Sequence, residues 1–214
     1  MDKQQMRGRF ITFEGGEGAG KSTQCVLLRD SLLALGIDVI LTREPGGTPT
    51  AEHIRNLLVS QGDPLHSKTE ALLMFAARCE HWHEVIEPAL KQGKWVISDR
   101  FVDSSYAYQG YGRGLDLNAL KNLYDFAVGE SLPDLTIFLT LPPQIAFERI
   151  TSRHKGYTER FEQEKLDFHE RVYQGFLSLS KAYPQRYFLE DANQDIHDIA
   201  HEIMCEIERR FSIL

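Results

Sequence analysis

The chain has 214 residues and a formal net charge of −7. That length suits one well-buried core, and the acidic balance excludes a general nucleic-acid surface. The apolar runs are strand-length, which excludes a membrane span, and residues 1–7 lack the apolar core of a signal peptide. Three widely spaced cysteines, Cys25, Cys79 and Cys205, suit a reducing cytosol better than a disulfide framework.

Residues 9–13 are apolar and β-branched and predict a buried strand. Gly15-Gly16-Glu17-Gly18-Ala19-Gly20-Lys21-Ser22 follows and fits G-x-x-x-x-G-K-S/T at every fixed position. Residues 23–35 then predict a helix, with Leu27, Leu28, Leu32 and Leu35 at helical spacing. A strand, a glycine loop and a helix in this order turn backbone N–H groups inward around a polyphosphate. Lys21 reaches the β- and γ-phosphates from such a loop, and the Ser22 hydroxyl ligates Mg²⁺. Further strands are expected at 38–42, 94–98, 135–141 and 186–189. Thr48-Pro49 reads as a helix start. Helices are expected over 71–90, with a kink or break at Pro88, and over 117–128, 143–152, 163–183 and 196–211. This alternation predicts an α/β fold in three layers, a parallel five-stranded sheet with helices on both faces, as one domain over 1–214.

In such sheets ligands collect at the carboxyl ends of the strands. The residues there are Glu14, the Arg43-Glu44-Pro45-Gly46-Gly47 block and Asp99-Arg100-Phe101, with Arg78 inside an otherwise apolar helix. An acidic protein that gathers Arg43, Arg78 and Arg100 on this edge is built to collect a second anion beside the nucleotide. Asp99 ends a buried strand, where a carboxylate serving Mg²⁺ is expected. His81 and His83 are two apart, so a helix points their rings away from each other and away from a shared metal.

These residues carry a resemblance. The chain resembles the thymidylate kinases, phosphate-loop nucleoside monophosphate kinases of the P-loop NTPase fold. The matching blocks are Phe13-Glu14-Gly15, Thr42-Arg43-Glu44-Pro45-Gly46-Gly47, Phe75-Ala76-Ala77-Arg78, Asp99-Arg100-Phe101 and Ser104-Ser105-Tyr106-Ala107-Tyr108-Gln109-Gly110. The resemblance implies transfer of the ATP γ-phosphoryl group to dTMP, giving dTDP for dTTP synthesis, with Mg²⁺, in a cytoplasmic homodimer. It implies that residues 15–23, from Gly15 through Thr23, hold ATP together with Arg149 and Arg153. Arg100 and Arg43 resemble the contacts to the acceptor phosphate, and Glu14 the acidic residue near the acceptor sugar. Pro45, Ser104 and Gln109 belong to the same substrate side. Arg78 and Ser105 resemble the base contacts, and Tyr108 the ring that fills the space of a ribose 2′-hydroxyl. Catalytic roles fall to Lys21, Arg100, Arg153 and Glu14, and metal binding to Ser22 and Asp99.

Residues 149–160 resemble the lid over ATP. The glycine loop has no arginine, whereas this segment has Arg149, Arg153 and Arg160, which is the lid-arginine pattern. Lys155 stands where related lids often carry another arginine. A second departure concerns the base. The family commonly stacks an aromatic residue four positions before the base-reading arginine, and here that residue is Met74, with Phe75 three before. Both lie on the face of Arg78. A planar ring stacks more strongly than a thioether, so Phe75 is expected to supply the larger share. Two other readings remain at this point: a kinase of another nucleoside monophosphate, and a nucleotide-dependent switch or ATPase, for which the guanine motif Asn-Lys-x-Asp is missing.

Overall fold

The computed structural model describes residues 7–60, 64–153 and 160–213, with only the backbone of Ile150, Ser152, Arg153 and Gln163. The expected lid positions 154–159, Lys155 among them, lie outside the described residues, as does the Arg153 side chain. Five parallel strands, β1 (Phe10–Glu14), β2 (Val39–Arg43), β3 (Trp95–Asp99), β4 (Leu135–Thr140) and β5 (Tyr187–Asp191), form one sheet in the order β2-β3-β1-β4-β5. The chain runs outward to one side of β1 and then returns to the other. The switch point, where a crevice must open, is therefore at the carboxyl end of β1.

Alternation within the strands sorts the core. Ile11 and Phe13 of β1, with Leu135, Ile137 and Leu139 of β4, face α1 (Lys21–Ala34) and α9 (Ile196–Phe211), which supplies Ile199, Ile203 and Ile207. On the opposite face, Phe10 and Val96 meet Phe75 of α3 (Ser67–His81) and Leu120 and Tyr124 of α6 (Leu117–Ala127). Phe138 packs there with Phe168, Val172 and Phe176 of α8 (Leu166–Ala182). Helices α2 (Pro49–Val59) and α7 (Pro143–Arg153) complete the layers. The start of α2 is as expected: Thr48 Oγ1 accepts from the Ala51 N–H at 3.1 Å, and Pro49 opens the first turn.

Two stretches differ from the sequence expectation. The helix expected over 71–90 is regular to His81, widens into a π-helical turn over Trp82–Ile86, and resumes as α4 (Glu87–Lys91). Pro88 has no N–H to give to the carbonyl one turn back, and the irregularity lies before it. The second stretch is helical but was legible only as a motif. Helix α5 (Val102–Ser105) continues as a π-helical segment over Tyr106–Gly112. Two glycines and three tyrosines weaken its helical signal. Gly110 allows close packing against Leu117 and Leu120 of α6, and Gly112 against α8. A Cβ on Gly112 would come 2.7 Å from the Phe168 ring, and one on Gly175 of α8 would come 2.9 Å from Tyr111.

Candidate active site

The glycine loop leaves β1 and enters α1 at the switch point. Gly15, Gly18 and Gly20 have φ of +141°, +74° and +87°, which side chains resist. A Cβ on Gly15 would also sit 2.7 Å from the Leu139 carbonyl oxygen. Gly16 and Ala19 complete the turn, and Ser22 and Thr23 are exposed on the first turn of α1. Lys21 folds back so that Nζ donates to the Gly16 carbonyl at 2.7 Å. Burial lowers its pKa, as does Arg100, while Glu17, Asp99 and Glu14 pull it back up. Ser22 Oγ donates to Asp99 Oδ2 at 2.5 Å, joining α1 to the end of β3. This hydroxyl and carboxylate are hard oxygen donors of the kind Mg²⁺ takes.

Lys21, Ser22 and Asp99 also form the floor of a cavity. Its walls bring together Arg43, Arg78 and Arg100 from three separate elements, as the sequence implied. Pro45, Met74, Ser104, Ser105, Tyr108 and Gln109 line it as well. Arg100 connects the cavity to the loop. It takes φ +73°, a left-handed conformation that costs a non-glycine residue about 1–3 kcal/mol. Its Nη1 donates to the Gly15 carbonyl at 2.9 Å and to Ser104 Oγ at 3.1 Å, and its Nη2 to Glu17 Oε1 at 2.6 Å. The Tyr108 ring lies 5.1 Å beneath the guanidinium, and its hydroxyl donates to Glu17 at 3.0 Å. Burial alone would raise the Glu17 pKa, but Arg100 and Lys21 hold the carboxylate down at about 2.

The end of the cavity next to α3 is fixed by a buried ion pair. Arg78 Nε donates to Glu44 Oε2 at 2.7 Å, Nη1 to Ser105 Oγ at 2.9 Å and Nη2 to the Phe101 carbonyl at 3.0 Å. His81 holds the other Glu44 oxygen at 3.1 Å through Nδ1, and its Nε2 lies 2.6 Å from Thr42 Oγ1. His81 is thereby engaged in tying the Arg43–Gly47 block to α3. Gln109 Nε2 donates to buried Glu70 at 2.9 Å, while its Oε1 is buried with no hydrogen-bond partner. Arg43 is half-exposed, and its Nη2 alone donates to both Glu52 carboxylate oxygens, each at 3.0 Å.

Three expectations change. Glu14 is fully buried and absent from the cavity wall, because its carboxyl group holds the turn after β3. The acidic residue on the wall is Glu17, three positions on, which the sequence reading had placed with ATP only. Phe75 points into the core with Phe10 and Trp82, its ring 4.9 Å under the Arg78 guanidinium, and Met74 takes the wall position. Arg160 pairs with Glu70 of α3, beside Arg113. Arg149 is not on the cavity wall and donates to the Ala192 carbonyl at 3.0 Å and Asn193 Oδ1 at 3.1 Å. Sequence reasoning missed Arg55, Val59 and Phe161 on the wall. Only the basic charge of Arg55 on the helix after the Arg43–Gly47 block offered a signal.

The thymidylate kinase family model matches residues 13–203. A thymidylate kinase of Magnetococcus marinus is 51% identical over 209 residues, covering 97% of this chain and 99% of its own. The chain belongs to the thymidylate kinase family. A thymidylate kinase of Pseudomonas fluorescens is 49% identical over 92% of this chain and 94% of its own. The crystal structure of thymidylate kinase from Ehrlichia chaffeensis superposes with a TM-score of 0.75 at 34% identity, covering 94% of this chain and 99% of that one. Membership of the thymidylate kinases makes this chain a phosphotransferase that forms dTDP from dTMP and ATP.

Proposed function

We propose that the cavity holds dTMP and the glycine loop holds ATP, with the acceptor phosphate meeting the γ-phosphoryl group at Arg100. The observation that carries this is the shared wall: Lys21 and Ser22 at the end of the loop, with Asp99 at the end of β3, open directly into a cavity lined by four arginines, Arg43, Arg55, Arg78 and Arg100. In the reaction an acceptor phosphate oxygen forms a bond to the γ-phosphorus as the bond to the β–γ bridging oxygen breaks. Little covalent chemistry is asked of the protein, and charge neutralisation and alignment dominate. Arg100 reaches both partners, Lys21 follows the moving charge, and Arg43 neutralises the acceptor phosphate. Ser22 and Asp99 would hold Mg²⁺, which would supply charge neutralisation to the donor phosphates. Arg149 and Arg153 complete the ATP side.

At the base end, Arg78, Ser105 and the unpartnered Gln109 Oε1 supply polar contacts, and Met74 covers the ring. Tyr108 closes the space beside the sugar, and Glu17 is placed to accept from a 3′-hydroxyl. ATP consumption with dTMP, dUMP, UMP, CMP, GMP and AMP tests the assignment. Turnover with dTMP far above the others is the expected result, and equal hydrolysis without acceptor would sink it.

The chain works as one domain and as a homodimer in this reading. Helices α2, α3 and α6 pack side by side and expose Leu57, Leu72 and Phe126, the last 91% exposed. Such a patch suits burial against a second copy, and light scattering of wild type and Phe126→Glu tests it. Free Cys25, Cys79 and Cys205 suit a cytoplasmic setting, and no described helix is long and apolar enough to cross a membrane.

A further inference from the structure

Beneath the Arg100 turn lies a fully buried carboxyl group that touches neither nucleotide site. Glu14 Oε1 accepts from the Phe101 N–H at 2.8 Å, and its Oε2 lies 2.6 Å from Ser104 Oγ. Ser104 Oγ also accepts from Arg100 Nη1 at 3.1 Å, and Ser104 lines the acceptor cavity. A hydroxyl has one hydrogen. An ionised Glu14 is acceptor-only, so at 2.6 Å it commits that hydrogen to itself. A protonated Glu14 donates to Ser104 Oγ instead. Arg100 then takes the second lone pair, and the Ser104 hydrogen is free to turn into the cavity.

We propose that Glu14 is a positioning residue whose proton frees the Ser104 hydroxyl to donate to the acceptor nucleotide, so that losing this proton weakens acceptor binding. The inference rests on the cavity being the dTMP site. The surroundings favour the neutral acid. Burial first, then the nearby Asp103 carboxylate, push the Glu14 carboxyl up to about 8, while Ser104, Arg100 and the Phe101 amide oppose this. Asp103 is itself held by Arg186 at 2.5 and 2.9 Å. The other titratable groups around Glu14 are Lys21 and Cys25 from α1, and Arg186 and Tyr187 from the edge of β5.

The test is dTMP affinity by calorimetry, without ATP, from about pH 7 to about pH 9. In wild type the Kd is expected to rise about tenfold across this window, the worth of one lost hydrogen bond. Glu14→Gln keeps an acceptor for Phe101 and a permanent donor to Ser104, so the rise should vanish. A titrating Lys21 would leave the rise in place in this variant. Ser104→Ala should also remove the rise, and it carries the test if Glu14→Gln melts below the assay temperature. In wild type, the infrared band of a protonated carboxyl group should fade over the same window. A flat wild-type profile with normal binding, or a rise that persists in Glu14→Gln or in Ser104→Ala, overturns the inference alone. Absence of dTMP binding at every pH removes the acceptor reading, and the inference with it.

Discussion

Arg78 and Glu44 form an ion pair with only 3% of each side chain exposed, and this pair ties the loop after β2 to α3. Removing one partner of such a pair strands the other charge in the core, at about 3–5 kcal/mol. Glu44→Ala is therefore expected to lose about that much stability in a denaturant melt. The same change frees the guanidinium from its aim at Ser105, so the KM for dTMP should rise by about tenfold or more while that for ATP moves little. A stable variant with an unchanged dTMP KM would show that the pair neither supports the fold nor sets the arginine.

Lys21→Met removes the one ammonium on the loop while leaving a side chain of similar length to fill its buried position. Contacts to a transferring phosphoryl group are worth on the order of 10²–10⁵ in rate. Turnover is expected to fall within that range with an unchanged circular dichroism spectrum. A folded variant within tenfold of wild type would remove Lys21 from the chemistry.

Met74 and Phe75 divide wall from core, and their variants should divide in the same way. Phe75→Leu is expected to cost about 1–3 kcal/mol of stability, because the ring packs under Arg78 and against Phe10. Its dTMP affinity should stay within a few-fold of wild type. Met74→Ala should do the reverse, raising the dTMP KM with little change in melting temperature. Isothermal titration beside thermal melts separates the two, and a larger affinity loss in Phe75→Leu would return the stacking role to the ring.

The glycine loop was legible because each of its positions has a local steric task. The three arginines were legible because they follow strand ends or interrupt an apolar helix. What sequence left hidden depends on long-range placement. Glu14 and Glu17 are three residues apart in one motif, and only the course of the loop decides which of them faces the cavity. The Glu44 partnership with Arg78 spans 34 positions, so the Arg-Glu-Pro-Gly-Gly block was recognisable before its reason was. Phe75 and Met74 share a helical face with Arg78, and the neighbouring Phe10 and Trp82 draw the ring inward. The helix over 102–112 was missed because its π-helical turns follow tertiary packing on α8.

Tyr108 offers a test of sugar discrimination that separates ring from hydroxyl. Tyr108→Ala removes the ring proposed to close the space beside the sugar and should lower the ratio of kcat/KM for dTMP over its ribo analogue by about tenfold. Tyr108→Phe keeps the ring and should hold that ratio. It removes the 3.0 Å bond to Glu17, so any loss should appear in kcat/KM for both acceptors alike. An equal drop in the ratio for both variants would assign discrimination to the hydroxyl.

Glu17 links the site to acid stability. Its carboxylate is held at about 2, against an ordinary value of 4.5, because Arg100 and Lys21 outweigh the effect of burial. A depressed carboxyl pKa stabilises the folded chain above the unfolded value, and that contribution disappears as pH falls from 4.5 toward 2. The shift corresponds to on the order of 3 kcal/mol at neutral pH. Glu17→Gln cannot gain this term and leaves Arg100 without its 2.6 Å partner. The stability gap between wild type and Glu17→Gln should be widest above about pH 6 and close progressively toward about pH 2. Denaturant melts across that range measure it. A gap that stays constant with pH would mean that the variant's loss comes from packing, with the Glu17 charge contributing nothing to the fold.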